Sequence, residues 1–152
     1  MRDVLSPQAI AAAFAAATKK DILQNIAEAA APLAGVDGHA VFDALWERER
    51  LGTTGVGQGI AIPHARVPGL DKVFGYFARL PQGVAFEAID DKPVDLVFLL
   101  LAPEDAGADH LHALATVSRL LRDAKLCEKL RSAKDAAAIY RILVDSVVAE
   151  AA

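Results

Sequence analysis

The residues of this chain best suited to chemistry are its histidines, and His64 has the most distinctive setting. It ends the run Ile60-Ala61-Ile62-Pro63-His64, and upstream lie Gly52, Gly55, Gly57 and Gly59. Glycine-rich backbone turns tightly and lets other groups approach closely. Ile60 to Ile62 reads as a short extended piece. Pro63 keeps Ile62 out of the helical region and fixes its own φ. The expected outcome is an imidazole at the end of a stiff segment, beside backbone able to approach an anion. His110 and His112 stand two apart in a helical stretch, so their side chains diverge by about 200°. His110 shares a face with Leu114, Val117 and Leu121 and points inward. His112 shares one with Thr116 and Arg119 and points outward. His39 sits among polar neighbours and reads as a solvated surface imidazole.

Three chemistries are poorly supported. A catalytic zinc site takes three protein ligands, but there is no HExxH, no second cysteine and no acid at ligand spacing beside His64. No metal or other cofactor is expected. GxxxxGK[ST] is absent, and GVGQGI lacks the strand–loop–helix context of a nucleotide cradle. No GxSxG exists, and Ser118 lies within a helix. Nucleophilic catalysis by histidine itself fits better. A neutral imidazole attacks a phosphoryl group and holds it covalently. It needs donors for the phosphoryl oxygens and a neighbour that fixes its other nitrogen. Backbone from Gly55 to Gly59, Gly57 and Gly59 included, is a candidate for close approach. Arg48 and Arg66 are candidates for bidentate contacts, and His110 for anchoring the group. On spacing alone two plainer readings stay open. His64 could be a loop histidine with one hydrogen bond, and His110 a buried one bonded to a carbonyl.

The elements that must position these residues follow from caps and periodicity. Ser6-Pro7 opens a short helix, and alanine-rich Ile10 to Ala17 reads as helical, with a strand at Phe14 to Ala16 as the alternative. Thr18 caps a helix whose stripe is Ile22, Leu23, Ile26, Ala29, Ala30 and Leu33, ended by Gly35. Asp37 caps a second helix through Leu51. Val41, Ala44, Leu45 and Arg48 lie on its inner face, and Asp43, Trp46, Glu47 and Arg50 on a more polar one. Val73 to Leu80 reads as a strand, Pro81-Gln82-Gly83 as a turn, and Val94 to Ala102 as a central strand buried on both faces. After a loop from Pro103 to Ala108, helices start at Asp109, Asp123 and Asp135. Together these predict one α/β domain over 1–152, a layered sandwich with a mixed central β-sheet flanked by helices.

Composition narrows the function. The 152 residues suffice for one core. No apolar run approaches the roughly 18–20 residues that cross a bilayer, and the N-terminus lacks a secretory pattern. The lone Cys127 fits a reducing compartment, so a cytoplasmic protein without direct membrane insertion is expected. A formal charge of −4 with no basic cluster argues against nucleic acid as partner.

The stretch TTGVGQGIAIPHAR (53–66) resembles the active-site signature of the phosphotransferase-system enzyme IIA proteins of the fructose–mannitol type. RERLG before it, AFEAIDDKPVDLVFLLLAPE (85–104) and DHLHALATVSRLLRD (109–123) extend the resemblance over nearly the whole chain from Val41 onward. The resemblance implies an α/β sandwich around a mixed sheet, with His64 phosphorylated on Nε2. It also implies His110 as the second active-site histidine and Arg48 as the arginine before the glycine-rich loop. Members often carry glycine where this chain has Ala65. The implied donor is an HPr-type phosphocarrier protein charged through enzyme I. Ile60, Ile62 and Val67 are candidates for an apolar contact surface with it. Downstream, the resemblance implies either regulatory target proteins or a IIB domain. RERLGTTGVGQGIAIPHAR looks closest to the nitrogen-regulatory members, and a free-standing sugar IIA component is the alternative. A docking-only module that no longer uses its histidine is a third reading. The intact set of Arg48, His64 and His110 speaks against it.

Overall fold

The N-terminal segment departs from its alanine content. The computed structural model describes residues 2–151. Ser6-Pro7 lies in turns rather than a helix, and Ile10 begins a strand, β1 (Ile10–Ala11), where a helix over Ile10 to Ala17 is expected. The alternative strand at Phe14 to Ala16 is not formed either. Burial overrides helix propensity here. Leu5 and Ala9 are fully buried, and Ile10 pairs in parallel register with Phe77.

Both predicted caps of the first two helices form. Thr18 Oγ1 accepts from Asp21 N–H (3.1 Å) at the start of α1 (Lys19–Ala34). Asp37 Oδ2 accepts from Ala40 N–H (3.2 Å) at the start of α2 (Gly38–Leu51). Helix α1 buries Ile22, Leu23, Ile26, Ala27, Ala30 and Ala31. Ala29 is half-buried and Leu33 exposed. The buried seam runs through Leu23, Ala27 and Ala31 at four-residue steps, which turns Ala29 and Leu33 away from it. Helix α2 buries Val41, Leu45 and Glu49, with Ala44 and Arg48 at the margin of that face.

The glycine-rich stretch is a hairpin. Strands β2 (Gly55–Gly57) and β3 (Ile60–Ala61) are joined by Gln58-Gly59, both at positive φ (59° and 81°), the geometry that matches strand twist. After Pro63 comes β4 (His64–Val67). The next strand, β5 (Phe74–Val84), runs through Pro81-Gln82-Gly83, where a turn is expected. The ladder is irregular between Arg79 and Val84, since Pro81 lacks an N–H, and it resumes where Val84 meets Val94. Strand β6 (Val94–Pro103) follows, then α3 (Ala108–Leu121), α4 (Ala124–Ser132) and α5 (Ala136–Ala151). Helix α3 starts one residue ahead of the expected Asp109, on Gly107 and without a side-chain cap.

The sheet is mixed, in the order β1-β5-β6-β3-β2, with β4 also pairing β6. Residues Leu96 to Ala102 of β6 are all fully buried, so both of its faces are covered. Helices α1 and α2 pack together and on β5 and β4. Helices α3, α4 and α5 pack together and on β6 and β1. The observed architecture is therefore the flanked α/β sandwich expected from the element order. No helix among the described residues is long and apolar enough to cross a membrane.

Candidate functional site

Pro63 is the hinge that delivers His64. Its carbonyl accepts from Leu100 N–H (3.0 Å), while Ile62 N–H donates to Thr54 O (3.0 Å). Both bonds fix the backbone on either side of the proline. His64 then opens β4 opposite Leu100 of β6. Helix α2 packs against this strand, and α3 packs against β6.

The partners of the His64 ring define its tautomer. Nδ1 lies 2.8 Å from Ile62 O. A carbonyl only accepts, so Nδ1 carries the proton. Arg48 Nε donates to Nε2 at 3.3 Å, and a guanidinium only donates, so Nε2 carries the lone pair. Arg48 is itself anchored by Nη1 donating to Gly52 O at 2.9 Å. Burial holds the His64 pKa below its ordinary 6.5, and the Arg48 charge adds to this; the Ile62 carbonyl and Glu49 push the other way without reversing it.

His110, in the first turn of α3, faces inward as its apolar face-mates require. It is buried, with its ring centre 5.9 Å from that of His64 and the planes at 65°. Its Nε2 is buried without a hydrogen-bond partner. Burial, then His64 and Arg66, lower its pKa as well. Both imidazoles are therefore neutral at pH 7. His112 and His39 are exposed.

Arg48, His64, Arg66 and His110 line one surface depression together with Ala44, Glu47, Leu51 and Ala65. Leu51 and Leu111, both largely exposed, border the two histidines in sequence or space. The other candidates lie elsewhere. Ile62 is 2% exposed and offers the site its carbonyl rather than its side chain. Ile60 and Val67 are core residues too. Gly57 and Gly59 occupy the hairpin end. A Cβ on Gly57 would meet Asp90, and one on Gly59 would meet Arg131 Nη2 at 2.6 Å and Asp95 Oδ1 at 2.8 Å. These glycines admit a turn and a close packing contact, and neither lines the depression. Among the described residues no group of three His, Cys, Asp or Glu could hold a metal ion.

Motif reasoning does not single out Glu49 and Thr54, yet both are buried close to this site. A signal for Glu49 exists: Val41, Leu45 and Glu49 recur every four residues, which continues the inner face of α2 onto Glu49.

A fixed, neutral imidazole held by one arginine, sharing an open depression with a second arginine and a second imidazole, is equipment for phosphoryl transfer. The chain belongs to the family described as phosphoenolpyruvate-dependent sugar phosphotransferase system, EIIA 2, which matches residues 3–146. It is 55% identical over 141 residues to a nitrogen regulatory protein of Bradyrhizobium diazoefficiens, covering 93% of this chain and 92% of that one. It is 40% identical over 132 residues to a PTS system fructose-specific EIIA component of Haloferax volcanii, covering 86% of each. Among solved structures it resembles nitrogen regulatory protein IIA-Ntr from Neisseria meningitidis. There the TM-score is 0.87 at 33% identity, over 93% of this chain and 97% of that one.

Proposed function

We propose that this protein is a cytoplasmic phosphohistidine carrier of the nitrogen-regulatory type, accepting a phosphoryl group on His64 Nε2 from an HPr-type carrier. The observation that carries this is the locked tautomer. With the proton held on Nδ1 by Ile62 O, the lone pair of Nε2 is directed to the depression that Arg48, Arg66 and His110 line. Nε2 attacks the phosphorus of the donor's phosphohistidine. The N–P bond of the donor breaks, and its electron pair returns to the donor's ring nitrogen. The proton on Nδ1 stays in place, and the Ile62 carbonyl stabilises the positive charge that develops in the ring. Arg48 releases Nε2 and takes up a phosphoryl oxygen. The unpartnered His110 Nε2 gains its missing partner from another.

A regulatory role follows from charge. The phosphoryl group adds about −1.5 to −2 charges at the mouth of the depression, by analogy with other phosphorylated side chains. A target docking over Leu51 and Leu111 is then recruited or repelled. The likeness to nitrogen regulatory proteins supports this downstream role. The likeness to a fructose-specific EIIA component favours one second reading, in which the group passes to a IIB domain.

Intact mass after incubation with phosphoenolpyruvate, enzyme I and an HPr-type carrier tests the proposal. One added, acid-labile phosphoryl group is expected on the wild type and none on His64→Ala. Acceptance by the variant would sink the assignment. Discharge of the phosphorylated protein by a purified IIB domain would select the sugar reading.

A further inference from the structure

Glu49 follows Arg48 in sequence but is turned into the protein, with 8% of its surface exposed. Both of its oxygens are engaged. Oε1 accepts from Thr54 N–H at 2.7 Å and lies 3.1 Å from Lys19 Nζ, and Oε2 accepts from the Thr54 hydroxyl at 2.6 Å. Lys19 is the first residue of α1, where a cation opposes the helix macrodipole. Its ammonium is held there by Glu49, with the exposed Glu87 at 3.6 Å and the centre of the Phe86 ring at 4.8 Å. The Thr54 carbonyl accepts from Ile62 N–H (3.0 Å), and the Ile62 carbonyl accepts from His64 Nδ1–H (2.8 Å). An unbroken chain of polar contacts thus runs from Lys19 through Glu49, Thr54 and Ile62 to the imidazole.

We infer that Glu49 is a positioning residue for phosphoryl acceptance: it holds Thr54, and through it Ile62, so that the Ile62 carbonyl keeps the proton on Nδ1 of His64 and leaves Nε2 free to react. The kinetic half of this inference rests on the proposed function; the tautomer half does not. An apolar residue at 49 would continue the Val41–Leu45 face without the desolvation cost of a buried carboxylate. It could not grip both donors of one residue. The carboxylate fork does, and it stops the backbone after α2 from rotating the carbonyl away.

The test reads two quantities on the full chain above pH 7.5. One is the ¹⁵N spectrum of the His64 ring, which reports the tautomer. The other is the rate of phosphoryl acceptance from a phosphorylated HPr-type carrier. Glu49→Gln preserves the grip, since its carbonyl accepts from Thr54 N–H and its amide donates to Thr54 Oγ1. Wild-type tautomer and rate are expected. Glu49→Ala removes the grip. A mixture of tautomers is expected, with a rate lower on the order of 10- to 100-fold. Wild-type behaviour of Glu49→Ala overturns the inference. So does a Glu49→Gln variant as impaired as Glu49→Ala, because charge rather than position would then be the cause. Should Glu49→Ala not fold, Glu49→Leu keeps the Val41–Leu45 face packed while removing both bonds to Thr54, and a native tautomer and rate in it overturn the inference equally. A wild type that accepts no phosphoryl group removes the proposed function, while the tautomer spectra still decide the role of Glu49.

Discussion

The two halves of the Leu51–Arg66 stretch do different work. From Gly55 to Gly59 the chain is a hairpin fastened from outside. Asp90 accepts from Gln58 N–H (2.9 Å), and Arg131, paired with Asp95, donates to Gln58 O (2.9 Å). From Ile60 to Arg66 it is a strand broken by Pro63 that presents an imidazole to a depression. The first half puts its unusual residues into backbone geometry, the second into chemistry. A contiguous motif is therefore no guarantee of a contiguous site. Damage to the first half should appear as lost stability, and damage to the second as lost transfer.

The largest effect belongs to His64→Ala, which is expected to abolish phosphoryl acceptance in a mass assay while leaving the thermal midpoint close to wild type. His64 is only half-buried, so its removal opens no large cavity. Next comes Arg48→Ala, expected to slow transfer by about 10²-fold, as loss of one donor to a transferring group does. Arg50→Ala is the control. Arg50 is 67% exposed and pairs with the exposed Glu47, and exposed pairs contribute little. Equal rates for the two variants in a stopped-time phosphorylation assay would undo the separation of the α2 faces.

Gly59→Ala tests the other half. The position requires positive φ, which strains an alanine, and the added Cβ meets Arg131 and Asp95, at a cost of about 1–3 kcal/mol in stability. Denaturant unfolding should register that loss, whereas transfer per folded molecule should be unchanged. A transfer defect in fully folded Gly59→Ala would return the glycine to the phosphoryl site.

Much of this is legible in sequence, for identifiable reasons. Thr18, Asp37 and Asp123 are caps whose side chains do the same work wherever they stand. His110 and Arg48 follow from helical spacing, which is local geometry. What sequence hides depends on partners far along the chain. The β1 strand exists because β5 offers an edge to Ile10, and no local propensity records that edge. The place of Gly59 depends on Arg131 of α4, and the turn expected at Pro81 to Gly83 is absorbed by the strand facing Val94. Glu49 is hidden differently. Its charge argues for the surface, and only its bonds to Thr54 and Lys19 make burial tolerable.

The smallest effect concerns pH, and it separates Arg48 from its neighbour Glu49. Transfer needs His64 neutral, so the rate falls as pH drops through the pKa of the folded protein. That pKa lies below the ordinary 6.5, first because of burial, so the wild-type acid limb should fall at lower pH than that of a free imidazole. The Arg48 charge contributes to the lowering, while Glu49 opposes it. Arg48→Ala removes a repulsive cation, so the acid limb of its much reduced rate should move to higher pH. Glu49→Gln removes an attractive anion, so its limb should move to lower pH while the rate on the plateau stays that of the wild type. Glu47, Arg66 and His110 also line the depression and are unchanged in both variants, so they cancel between them. Rate against pH from about 5 to 8, on either side of the ordinary histidine pKa, measures the two displacements in the three proteins. Shifts in the same direction would mean that altered burial of the ring, rather than the charges of the two neighbours on α2, sets where His64 titrates.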